Sequence, residues 1–315
     1  MAQARITALL SSLCLVALVG CGGGEDDGIT LPLPSPPLFS ATYFAWMNAE
    51  IQSAWAAGFF GQGSRVMVVD DFQGSDTIFG DLGLGRESKR HGEWVAQHVE
   101  LMSPGAELAT QDFSSSAAIT LGAGKLNIIN LSYGMPDSFG PHANINWSQR
   151  ETSIIAYANG AAVVVKSAGN NAVAVGDAYQ NKYDYLSRDL IGKPTALFAG
   201  ALDRHGTVAN PASLASYSNF AGTDPRVQEQ FLVVGVTGGT LASGGTNLQG
   251  TSFAAPQISA YAAILGSKFP GASALQVTDQ LLDTARTDTI QGYNVRLHGQ
   301  GEASLSRALA PQSIN

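Results

Sequence analysis

The chain has 315 residues, 45% of them hydrophobic and only 13% charged, with 36 glycines and a net charge of −8. This fits one large globular domain with a sizeable core and excludes a disordered chain; no fixed period recurs, which excludes a repeat array. The acidic balance argues against nucleic acid as a partner, and the five histidines are scattered.

Arg5 precedes an apolar run from Ile6 to Val19, too short to span a bilayer as a stable helix and built like a targeting segment. The run closes with Leu18-Val19-Gly20-Cys21, which resembles the signal of bacterial lipoproteins: a small residue, cleavage, then a lipidated cysteine. The expectation is a signal peptide over 1–20 and a palmitate-type lipid anchor on Cys21. A tether follows over 21–42, first Gly/acidic (Gly22–Asp27) and then Pro-rich (Leu31–Pro37), the latter a semi-rigid extended spacer. Two or three acyl chains hold a protein at a membrane where one barely does. Gly22 after the cysteine favours the outer membrane of a bacterial cell envelope over the inner one. Cys14 lies in the discarded segment, so no disulfide can form within the mature chain.

The folded domain is expected over 43–312, opening with a helix over about 45–57 that ends at Gly58. Val66–Val69 is a continuous apolar run, the pattern of a strand buried on both faces. A helix is predicted over 92–102, strands over 107–111 and 127–133, and a helix over 148–159. Strands over 161–166, 195–201 and 231–236 follow, and helices over 252–268 and 273–285 close the domain. Such alternation implies an α/β fold whose mostly parallel sheet is covered on both sides, with its site at the carboxyl ends of the strands.

Chemistry concentrates at those ends. Asp70 ends the first strand, His91 opens the helix His91-Gly92-Glu93-Trp94-Val95-Ala96, and Ser252 lies in Gly250-Thr251-Ser252-Phe253-Ala254-Ala255-Pro256. A serine hydroxyl is a poor nucleophile without a base in hydrogen-bond reach, and that base needs a buried carboxylate to fix its tautomer. Pro256 has no N–H and so frees the Ser252 carbonyl from a helical partner. Ala168-Gly169-Asn170 follows the strand Ala161–Ser167 and offers an amide donor for an oxyanion. Ser132-Tyr133-Gly134 follows Asn127–Leu131 and suits an edge on which an extended peptide pairs. The specificity pocket is expected around Ser132, Tyr133 and Gly134 on one side and Ser167, Ala168 and Gly169 on the other.

Together these segments resemble the subtilisin-like serine proteases, the subtilases, from about Ile51 to Ala310. GTSFAAP and AGN carry the strongest match. Ala57–Gly63 resembles the lead-in to the aspartate strand, Ala201-Leu202-Asp203 with Ser216–Gly222 the segment before the serine, and Gly299–Ala303 with Ala308-Leu309 the closing motif. The resemblance implies a three-layer αβα fold, a triad of Asp70, His91 and Ser252 in that chain order, and Asn170 as oxyanion donor.

The chain also departs from the family. Asp71-Phe72 stands where a small residue and glycine are usual, so Asp71 competes for the carboxylate role; strand alternation favours Asp70. The histidine motif reads HGEWVAQ where HGTHVAG is usual, and His98, two turns on, is expected to lie away from the serine. Members of the family can bind calcium, but Met102-Ser103-Pro104-Gly105 leaves no room for the usual loop, so no metal site and no cofactor are expected. Lys166, inside an apolar strand, must either reach solvent or meet an acid.

The expected function is a membrane-anchored, monomeric serine endopeptidase acting on protein or peptide substrates through an acyl-enzyme. The alternative is a catalytically impaired lipoprotein that keeps the fold as a binding scaffold, which the altered HGEWVAQ would suit. An esterase with a nucleophile elbow is disfavoured, because the serine lies in GTS and not GxSxG; a metallopeptidase is disfavoured because HExxH is absent.

Overall fold

The computed structural model describes residues 39–236 and 248–314. Cys21, the signal segment and the tether as far as Leu38 lie outside the described residues. From Phe39 on, the chain packs against the domain: the Phe39 ring stands 5.5 Å from that of Phe60, and Ala41, Tyr43 and Phe44 lie on the core.

In chain order, α1 (Ala49–Ala56) is followed by β1 (Ser64–Asp70), the short hairpin strands β2 (Ile78–Gly80) and β3 (Glu87–Lys89), α2 (His91–Met102) and β4 (Glu107–Asp112). Then come β5 (Leu126–Leu131), β6 (Pro136–Asp137), α3 (Gln149–Tyr157), β7 (Val163–Ser167), β8 (Tyr183–Asp184) and α4 (Tyr185–Leu190). The rest is β9 (Ala196–Leu202), α5 (Pro225–Glu229), β10 (Phe231–Gly235), α6 (Ala255–Lys268), α7 (Ala274–Asp283), α8 (Val295–His298), β11 (Gly301–Glu302) and α9 (Leu305–Ala308).

Seven strands form one sheet in the order β11-β10-β9-β7-β5-β1-β4, with every neighbouring pair parallel. Strand alternation splits its side chains between two apolar layers. Val66, Ile128, Val165 and Leu197 face α2, α6 and α7; Met67, Ile129, Val164 and Phe198 face α3 and α4. This is the three-layer αβα architecture expected from the pattern. β1 leads to β4 on one flank, while β5 and the later strands build outward on the other. The order reverses around β1 and β5, where open α/β sheets leave a crevice at their carboxyl ends.

α6 runs through the core. Every residue from Ala255 to Gly266 is buried, and small side chains let the helix lie close against β1, β5 and β7. Its first turn differs from the sequence expectation. Thr251–Phe253 form a short 3-10 turn and the α-helix starts only at Ala255, with Pro256 in its first positions. Proline lacks the N–H that would bond back to Ser252, and the freed carbonyl of Ser252 accepts from Ser132 Oγ at 2.9 Å.

Candidate active site

Asp70, the last residue of β1, is fully buried, and its Oδ1 lies 2.6 Å from His91 Nδ1 at the start of α2. The same oxygen accepts the Asp71 N–H at 2.7 Å. A carboxylate on Nδ1 holds the ring proton there and leaves Nε2 as the acceptor. Gly92 makes this approach sterically feasible: a β-carbon there would stand 2.7 Å from the Asp71 carbonyl and 3.0 Å from Asp70 Cβ. Asp71 itself is engaged elsewhere, its Oδ1 accepting from Gly74 N at 2.6 Å. The structure thus pairs Asp70, and not Asp71, with the histidine.

The unusual residues of HGEWVAQ have structural partners. Glu93 accepts the Arg90 N–H at 2.7 Å, closing the first turn of α2. Trp94 is buried and donates from Nε1 to the Ile78 carbonyl at 2.8 Å, with Lys89 Nζ 5.0 Å from the centre of its ring. Both features tie the β2–β3 hairpin to α2 and leave the His91 ring untouched. His98, expected to lie away from the serine, stacks its ring on that of Phe253, the residue after Ser252, with centroids 5.1 Å apart. Burial lowers its pKa to about 4, against a raising hydrogen bond to the Trp94 carbonyl and with a further lowering from His91, so it is a neutral packing group.

Ser252 is adjacent to Phe253, whose ring is 5.7 Å from the His91 ring. Its hydroxyl donates to the Ser132 carbonyl at 3.0 Å, not to His91. Ser132 and Ser252 therefore hold each other reciprocally, hydroxyl to carbonyl in both directions. Behind them, Asn130 Nδ2 donates to Ser132 Oγ at 3.0 Å, and Ser259 Oγ on α6 donates to Asn130 Oδ1 at 3.1 Å. Sequence reasoning missed Asn130 and Ser259, although a polar residue inside the apolar strand Leu126–Leu131 was a visible signal.

Asn170 is exposed, and its Oδ1 accepts from both the N–H (2.8 Å) and the Oγ1 (3.0 Å) of Thr251. This fixes the amide and turns Nδ2, which has no partner among the described residues, toward the turn at Gly250. A β-carbon on Gly250 (φ +123°) would stand 3.1 Å from that nitrogen. Thr251 Oγ1 also accepts the Gly169 N–H at 3.0 Å, and Tyr217 Oη accepts the Gly250 N–H at 3.1 Å. Asn219 completes the frame: its Nδ2 donates to the Ala168 carbonyl, and its Oδ1 accepts from Asn171 and Val173. Tyr217 and Asn219, in the Ser216–Gly222 segment that the sequence marks, hold the loop by contacts across the chain that the sequence did not specify.

Tyr133 is half-buried beside the Phe113 ring, centroids 5.8 Å apart, and burial pushes its phenol well up. Near it lies a buried pair, Arg150 and Glu151, joined at 2.6 Å (Nε to Oε1). Arg150 Nη1 donates to the carbonyls of Phe113 and, at 3.0 Å, Ser115; Glu151 also accepts from Ser148 Oγ. Phe113, Met135, Phe139, Trp147 and Tyr185 line a cavity of about 490 Å³ over this pair. Lys166 meets an acid: its Nζ is 3.2 Å from Asp184 Oδ2 and donates to the Ser167 carbonyl at 2.7 Å. Burial would raise Asp184, but the Lys166 charge and the Met135 and Ser187 hydrogen bonds outweigh it and hold the carboxyl below its usual value. Among the described residues no group of three or more His, Cys, Asp or Glu is placed to hold a metal ion.

The Subtilase family profile (Peptidase_S8) matches residues 85–302, a span that includes His91, Asn170 and Ser252 and begins after Asp70. The chain belongs to the subtilase family of serine proteases. Among solved structures it is similar to the prenylagaramide maturation protease PagA, at 20% identity and a TM-score of 0.57, over 83% of this chain and 98% of that one. It is similar also to proteases from Pseudoalteromonas arctica (18% identity, TM-score 0.53, 82% and 93% covered) and to a lanthipeptide protease (18%, 0.51, 81% and 89%). At these identities the structures attest the fold alone. No curated protein matches the chain in sequence.

Proposed function

We propose that this chain is a serine endopeptidase working through an acyl-enzyme on Ser252. The observation that carries the reading is the buried Asp70 carboxylate 2.6 Å from His91, on the same sheet edge as the Gly250–Pro256 turn. With its Nδ1 proton committed to Asp70, His91 presents Nε2 as general base. Ser252 Oγ leaves the Ser132 carbonyl by rotation about χ1, gives its proton to Nε2 and attacks the scissile carbonyl carbon; such contacts often tighten only when substrate is bound. The oxyanion takes a hydrogen bond from Asn170 Nδ2, a donor worth about 10²–10³ in rate at comparable sites. His91 then returns the proton to the leaving amine, and water cleaves the ester by the same route. An extended substrate pairs along Ser132–Gly134 and Ser167–Gly169.

The reading extends to the lipoprotein signal: Cys21 carries the acyl anchor and the domain stands off the envelope membrane on its tether. Among the described residues no helix is long and apolar enough to cross a membrane. A Cys21→Ser chain is expected to lose the lipid label and partition into the soluble fraction. The decisive test of catalysis is a fluorophosphonate probe at neutral to alkaline pH. Ser252 should be labelled in the wild type, and Ser252→Ala should lose both label and casein hydrolysis. A well-folded wild type without label, hydrolysing casein no faster than Ser252→Ala, would establish the binding scaffold instead.

A further inference from the structure

Two chain segments are hydrogen-bonded to the Ser252 turn: Ser132–Gly134, which leaves β5, and Ser167–Gly169, which closes β7. One ion pair touches both. Lys166, 1% exposed, donates to the Ser167 carbonyl and lies 3.2 Å from Asp184 Oδ2. Asp184 accepts the Met135 N–H on Oδ1 at 3.0 Å, and its Oδ2 is 3.2 Å from where a Gly134 β-carbon would stand. Ser187 Oγ donates to the same Oδ2 at 2.7 Å. Asp184 reaches this place because the β6–β8 ribbon folds back over the strand ends, Pro136 against Asp184. The Asp184 side chain keeps 27% of its surface exposed against 1% for Lys166, so Asp184 is the less buried partner of the pair.

We propose that Asp184 and Lys166 determine which substrate side chain is accepted next to the scissile bond, admitting uncharged side chains and rejecting charges of either sign. The proposal rests on the protease reading above. A side chain entering between the two segments loses water, and a charged one loses most. A pair that is neutral as a whole offers it no counter-charge, so both carboxylates and ammonium groups are selected against. Removing one partner leaves the other as an uncompensated buried charge, and a substrate side chain of opposite sign then becomes its partner. Lys166 and Asp184 would act by setting the charge of the crevice, without touching the reacting atoms.

The test uses fluorogenic peptides that differ only in the residue before the scissile bond: Glu, Gln, Leu or Lys. Peptidyl diphenyl phosphonates with the same residues give a readout independent of turnover, and fluorophosphonate labelling of Ser252 monitors each variant. Wild type should favour Gln and Leu. Asp184→Asn should raise the Glu/Gln ratio of kcat/KM by about tenfold or more, and Lys166→Met the Lys/Gln ratio by a similar factor. The double variant Lys166→Met/Asp184→Asn buries no lone charge, folds where a single one fails, and should shift preference toward Leu over Gln. Labelled variants whose ratios stay at wild-type values overturn the proposal and leave the protease reading intact. A folded wild type that takes neither label nor phosphonate overturns both.

Discussion

The two flanks of the cleft are held by opposite means. On the Ser252 flank, the turn rests on α6, twelve consecutive buried residues from Ala255 to Gly266, mostly small and apolar, packed on the sheet. On the Tyr133 flank, the edge rests on α3 through Arg150 and Glu151, 6% and 1% exposed, whose hydrogen bonds fasten Phe113 and Ser115. Apolar packing is non-directional and fills space densely, which suits a helix that must not shift beneath the Ser252 turn. A buried ion pair adds little net stability but is demanding in geometry, which suits an irregular edge that has to be given one shape. The difference separates what keeps the domain folded from what keeps the Ser132–Gly134 edge in place.

The two flanks should respond differently to substitution. Glu151→Ala leaves the Arg150 guanidinium buried and alone, and should cost about 3–5 kcal/mol by denaturant unfolding. Ile258→Ala on α6 opens a cavity and should cost about 2–5 kcal/mol, with kcat and KM little changed in the folded fraction. A change in KM as large as that seen on the α3 side would break the contrast. Exchanging the pair for apolar groups, Arg150→Met with Glu151→Leu, sharpens it: stability should stay within about 1.5 kcal/mol of wild type while KM rises, because the 113–116 segment loses its fastening. His98 tests the apolar flank by pH. Its folded-state pKa near 4 lies below the ordinary 6.5, so its contribution is intact above about pH 6.5 and lost as pH falls toward 4, by up to about 3 kcal/mol. His98→Phe, which keeps a ring between Trp46 and Phe253, should flatten that acid limb in a pH series of thermal melts. The smallest effect belongs to Thr251→Val, which removes one hydroxyl bridging Asn170 and Gly169 and should cost about 1 kcal/mol of stability.

Much of the fold was legible because it is periodic. Val66–Val69 read as a strand buried on both faces and 127–133 as a strand, observed over Leu126–Leu131, and the strand–helix alternation gave the layers. The ribbon of Pro136–Asp137 with Tyr183–Asp184 was not legible, since two residues are too few to show alternation. The hairpin Ile78–Gly80 with Glu87–Lys89 has no alternating pattern either. The start of α6 was misplaced by three residues because Ser252 looks like a cap, whereas Pro256 shifts the first helical turn. At the site, residue type and position pointed to Asp70, His91, Ser252 and Asn170. Of the partners that orient them, Thr251 lies in the Gly250–Pro256 motif and Tyr217 and Asn219 in the Ser216–Gly222 segment, but their pairings cross the chain and were not legible; Asn130 carries no motif of its own. Lys166 was visibly anomalous in its apolar strand, but only the folded chain shows that its acid stands eighteen positions later.

The frame around Asn170 bears on how this domain can be altered. Gly169, Thr251, Gly250, Tyr217 and Asn219 interlock through shared donors and acceptors, so three stretches of polypeptide behave as one rigid part. A graft from a homologous scaffold that brought only one of these stretches would import hydrogen bonds with nothing to meet them. Chimeras in this region should therefore exchange all three together.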